Sequence, residues 1–73
     1  MDFEKRLRAS RMRSGMTQQA VADHLGVSLR VYQNYEQGSR RPTYENVAST
    51  CRLLGVTSDY LFGLADEASA GGC

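Results

Sequence analysis

This 73-residue chain predicts an all-α fold, on three observations. Apolar residues recur at spacings of three and four along five short stretches. Ser or Thr stands before most of these stretches and Gly after them, as helix caps require. No stretch alternates apolar and polar residues over the length of a strand, and no repeat is present. The composition, 41% hydrophobic and 23% charged with one proline, is that of a globular chain. The length allows one domain, expected over residues 1–64, with a small, polar tail over 65–73 that is expected to be flexible.

The first helix is expected from about Asp2, a candidate N-cap, to Met12, with Phe3, Leu7 and Met12 near one stripe and Gly15 as the stop. Thr17 caps the second, which runs to Leu25 with Ala20, Val21 and Leu25 on one face; Gly26 ends it. His24 borders that face and reads as a packing or surface residue. Ser28 caps the third helix, Leu29 to Gln37, which stops at Gly38. Val31, Tyr32 and Tyr35 fall on one side of it, and Arg30, Gln33, Asn34 and Gln37 on the other. Both tyrosines read as core residues whose hydroxyls reach the surface. Thr43 caps a fourth helix, Tyr44 to Leu54, with Tyr44, Val47, Ala48, Cys51 and Leu54 as its apolar stripe. Thr57 or Ser58 opens a short fifth, Asp59 to Phe62, before Gly63.

Charge divides unevenly. Residues 1–41 hold eight basic and four acidic side chains, for +4, and residues 42–73 hold one against four, for −3. A basic front half suits a polyanionic partner. Two cysteines and one histidine cannot fill a four-ligand zinc site, so no metal is expected. Cys51 reads as core packing and Cys73 as a tail thiol. No paired acids, phosphate-cradling glycine loop or triad points to catalysis, so no enzyme and no cofactor are expected. Apolar runs are too short to span a membrane. Met1 to Arg6 lacks the apolar segment of a signal peptide, so the chain is expected in the cytoplasm.

Thr17 to Gly38 carries the functional expectation. Two helices of eight or nine residues meet at the tight Gly26-Val27 turn, which is helix-turn-helix geometry. Such a turn lets the second helix cross the first and present its outer face. An α-helix fits the major groove of B-DNA, where Arg matches guanine, Asn or Gln matches adenine, and an apolar side chain such as Leu29 meets a thymine methyl. Helix N-termini at Thr17 and Ser28 offer free amides to phosphate, and Arg40 and Arg41 extend the grip.

Met16-Thr17-Gln18-Gln19, Val21-Ala22, Leu25-Gly26-Val27-Ser28, Tyr35-Glu36-Gln37-Gly38, Arg41-Pro42 and Leu54-Gly55-Val56-Thr57-Ser58-Asp59-Tyr60-Leu61 stand in order and in spacing. In these, from about Phe3 to Gly63, the chain resembles the phage-repressor and Cro-type (XRE-like) helix-turn-helix domains. The resemblance implies a five-helix, lambda-repressor-like domain, a DNA-binding regulator that represses transcription, and a homodimer on a palindromic operator. It implies a bacterial or phage setting. From the length of the chain, no small-molecule ligand is expected. It further implies base contacts from Leu29, Arg30 and Asn34, with Ser28 and Gln33 close by. Phosphate contacts are implied for Gln18, Gln37, Ser39, Arg40 and Arg41, and an ion pair for Arg11 and Glu36 that also aims Arg11 at phosphate. Tyr32 and Tyr35 depart from the aliphatic residues usual there, and Leu29 and Val31 make the third helix less polar than in many members. A second reading is a protein-interaction module, in which Leu53, Tyr60, Phe62 and Leu64 form a patch for self-association or for a toxin or polymerase partner.

Overall fold

The structure, a computed structural model, describes residues 3–64. The Asp2 cap and the tail over 65–73 lie outside the described residues. Five helices follow one another: α1 (Phe3–Ser14), α2 (Gln18–Leu25), α3 (Leu29–Gln37), α4 (Tyr44–Leu54) and α5 (Ser58–Leu61). Among the described residues there is no strand. The side chains of Thr17, Ser28, Thr43 and Thr57 each accept a hydrogen bond from the backbone N–H three residues on. Each thereby satisfies one amide that the first helical turn leaves open.

The nearest packing is between α2 and α3, while α1 runs behind them and touches α3, α4 and α5. Phe3 and Leu7 of α1, Val21 and Ala22 of α2, Tyr32 and Tyr35 of α3, Val47 of α4, then Val56 and Leu61 form the core. Cys51 is half-buried and packs against that core, as does Leu53. None of the helices is long and apolar enough to cross a membrane among the described residues.

Three expectations are corrected. The first helix runs on past Met12 to Ser14, and Met12 is 59% exposed. Nine residues at ~100° each put Met12 about 180° from Phe3, on the solvent side. Ser10, at about 20° from Phe3 on the same count, takes the inward place and is buried. Tyr44 has the angle of the α4 stripe but is the first helical residue, and nothing packs over it: it is 87% exposed. Thr50 fills the stripe instead, its hydroxyl donating to the Asn46 carbonyl at 2.7 Å. Tyr32 is wholly buried, so its hydroxyl does not reach the surface.

The short α5 is pinned to α1 by two contacts. Phe62 stacks on Phe3 with ring centroids 5.2 Å apart. Arg6 lies 4.6 Å over the Tyr60 ring and donates from Nη1 to the Tyr60 carbonyl at 2.9 Å. Of the four apolar residues expected to form a patch, Leu53, Tyr60 and Phe62 are therefore half-buried within the molecule. Leu64 is exposed.

Candidate nucleic-acid interface

The α2–α3 junction is built by Gly26. Its φ of 73° lies in the left-handed region, which glycine enters without the steric cost of a Cβ. There the Gly26 N–H donates to the Asp23 carbonyl and the Val27 N–H to the Ala22 carbonyl, which closes the end of α2. Two residues later Ser28 caps α3. The turn is thus fixed at both sides, and α3 is held against α2 with one face outward.

On that face Ser28 and Arg30 are exposed, and Leu29, Gln33 and Asn34 are half-buried. Gln37 at the end of α3, and Ser39, Arg40 and Arg41 beyond Gly38, continue it as exposed side chains. His24 is exposed on α2. Gly38 has a φ of 81°, and a Cβ there would come within 3.3 Å of Glu4 Cδ. Phe3, Glu4, Gly38, Arg40 and Arg41 line a shallow pocket beside the loop. Thr17 spends its hydroxyl on the α2 cap, so the group it leaves for an anion is the amide-bearing first turn itself.

Beneath the face lies a polar network centred on Glu36, whose side chain is 3% exposed. Arg11 donates from Nε to Glu36 Oε2 at 2.6 Å and from Nη2 to Oε1 at 3.3 Å. A third bond runs from Arg11 Nη1 to the Met16 carbonyl at 3.0 Å, which ties α1 to the approach to α2. Gln18 Nε2 donates to Glu36 Oε1 at 3.1 Å, and Gln33 Nε2 donates to Gln18 Oε1 at 3.4 Å. Of the five N–H groups of a guanidinium, Arg11 has committed three.

Burial opposes the charge on Glu36, but the hydrogen bonds from Arg11 and Gln18 and the facing Tyr32 hydroxyl outweigh it. The Glu36 carboxyl is held below its ordinary value. The hydrogen bond to Glu36, with the attraction of its carboxylate, raises the Arg11 guanidinium against its own burial. Burial, then the neighbouring Glu36 carboxylate, pushes the Tyr32 phenol well up. The Tyr32 hydroxyl lies close enough to Glu36 to act on it, yet completes no hydrogen bond of good geometry. Tyr35 differs: its hydroxyl accepts from Asn46 Nδ2 at 3.3 Å, which links α3 to α4.

The structure therefore places the residues from Ser28 to Arg41 that were expected to meet DNA along one helix and its following loop. It sets Gln18 and Arg11 partly behind them, as members of the network. The Arg11–Glu36 contact joins residues 25 apart, and the Gln18–Gln33 contact residues 15 apart. Helical periodicity carries no signal for either pair, and the second has no counterpart in the motif residues quoted above.

Two short helices joined by a left-handed glycine turn, the second with an open polar face, with α1 packed on α3, α4 on α2, and α5 on α1 and α4, define a helix-turn-helix domain. The family model described as "Helix-turn-helix domain" matches residues 5–61, and the chain belongs to that family. It is 39% identical over 59 residues to the uncharacterized HTH-type transcriptional regulator YqaE of Bacillus subtilis, covering 81% of this chain and 51% of that protein. It is 36% identical over 63 residues to the cryptic phage CTXphi transcriptional repressor RstR of Vibrio cholerae, covering 86% and 56%. It is 35% identical over 69 residues to the HTH-type transcriptional regulator ImmR of Bacillus subtilis, covering 94% and 54%. The chain spans about half the length of these relatives. No solved structure matches it significantly.

Proposed function

We propose that this domain binds double-stranded DNA at specific sequences and regulates transcription, as a repressor, in the cytoplasm of a bacterial cell. The observation that carries the reading is the outward face of α3, where Ser28, Leu29, Arg30, Gln33 and Asn34 run directly into the exposed Gln37, Ser39, Arg40 and Arg41. In the major groove the first group meets base edges and the second meets phosphates. The first turn of α2 at Thr17 and Gln18, with Arg11 behind it, adds phosphate contacts on the other side of the groove. Relatives with regulator and repressor in their names support the same reading.

The reading extends to a homodimer on an inverted repeat. The described residues extend 31 Å at their longest, within the ~34 Å that separates successive major-groove faces on one side of B-DNA. Two protomers on adjacent half-sites are compatible with that spacing. The interaction-module reading is less well supported, because Leu53, Tyr60 and Phe62 are committed to packing within the domain.

Titration of a bound duplex at several salt concentrations tests the assignment. Arg41→Ala is expected to weaken all sequences alike and to lower the salt slope by about 0.9. Arg30→Ala or Asn34→Ala is expected to remove about 1–3 kcal/mol of discrimination at one base pair. If both kinds of variant bind as the parent does, α3 and its loop are not the interface.

A further inference from the structure

The network beneath α3 ends on the reading face itself, and its donor and acceptor order is dictated from inside. Glu36 is ionised and can only accept. Gln18 must therefore turn Nε2 toward it, as it does at 3.1 Å. That leaves Gln18 Oε1 as the atom facing α3, so Gln33 must answer with its own Nε2, at 3.4 Å. One N–H of the Gln33 amide is then spent, while Oε1 and the second N–H stay unspent. This pair is the complement of the adenine major-groove edge, which offers an N6 donor beside the N7 acceptor. A glutamine amide free to rotate by half a turn presents the two atoms in either order. One held from behind presents a single order.

We propose that Gln18 is a positioning residue for Gln33, fixing its amide as a preorganised reader of adenine, with Glu36 as the anchor. The inference rests on the DNA-binding reading above, but it assigns Gln18 a different task from a phosphate contact. A phosphate contact acts on every sequence alike. A positioning residue acts only where Gln33 touches a base.

The test uses the whole chain, a duplex selected by it from a random library, and the set of single-base-pair variants of that duplex. Gln18→Met keeps the shape of the side chain and deletes both amide bonds, and Gln18→Ala is the second variant. Both are expected to lose about tenfold of the discrimination at one A·T pair. That pair is the one at which Gln33→Met loses it, and the Gln18→Met, Gln33→Met double variant is expected to lose no more. In the free protein, the Gln33 side-chain amide signals are expected to move toward those of the exposed Gln37 when Gln18 is replaced. A uniform loss across all duplexes with a lower salt slope and unchanged discrimination would overturn the proposal, leaving Gln18 as a phosphate contact. So would Gln33 amide signals that Gln18→Met leaves in place. Failure of the parent chain to select any duplex overturns instead the DNA-binding reading, and the adenine assignment with it.

Discussion

Glu36 organises more of this small domain than any other polar residue. Its carboxylate is nearly sealed from water and gathers Arg11 from α1 and Gln18 from α2 onto α3. Removing one partner of such a pair strands a buried charge, which costs far more than the pair contributes over two apolar groups. Arg11→Ala is therefore expected to lower stability by about 3 kcal/mol, read from urea unfolding. The pH dependence follows from the lowered carboxyl. Glu36 contributes stability above the ordinary value of 4.5, and that contribution is lost as pH falls through the still lower folded value. Glu36→Gln is expected to be less stable at neutral pH and to show a flatter decline on acidification. An acid limb identical in slope to the parent's would show that other carboxyls carry it. None of this is written in local sequence. Arg11 and Glu36 are linked only through the tertiary fold, and only resemblance to a family pointed to them.

At the scale of elements, most of the fold was legible because its punctuation is local. Thr17, Ser28, Thr43 and Thr57 each cap the helix that follows, and Gly26 and Gly38 each end one, since these jobs depend on a few neighbouring atoms. The misreadings came where burial depends on what lies opposite. Met12 was expected on the α1 stripe, but the helix carries it to the far side. Tyr44 has a core angle with no neighbour above it. Tyr32 is covered entirely by tertiary packing, so its hydroxyl lies beside Glu36 and away from solvent. Gly38 joins the two levels, because its left-handed φ is a local need and its closeness to Glu4 a tertiary one. Gly38→Ala is expected to cost about 1–2 kcal/mol from the backbone alone, and to shift the Glu4 side chain out of the Arg40–Arg41 pocket. A thermal midpoint equal to the parent's would mean that the loop relaxes to a different conformation.

For the molecule as a whole, the near-neutral total hides a division that the fold puts to use. The +4 of residues 1–41 includes Arg30, Arg40 and Arg41 on or beside the outward face of α3, while four of the eight acidic residues follow that face in the chain against a single basic one. Long-range attraction to DNA is then directional although the net charge is only +1. A single protomer with few phosphate contacts binds non-specific DNA weakly, so tight binding is expected from two protomers on adjacent half-sites. The outward polar face of α3 was legible from residue types on one side of the helix. The orientation of Gln33 on it was not, because that depends on Gln18 from another helix. Selection of random duplex DNA by the purified chain decides whether α3 reads sequence. Enrichment of an inverted repeat with half-site centres about one helical turn apart is expected. Recovery of no preferred sequence, with bound DNA indistinguishable from the starting pool, would contradict it.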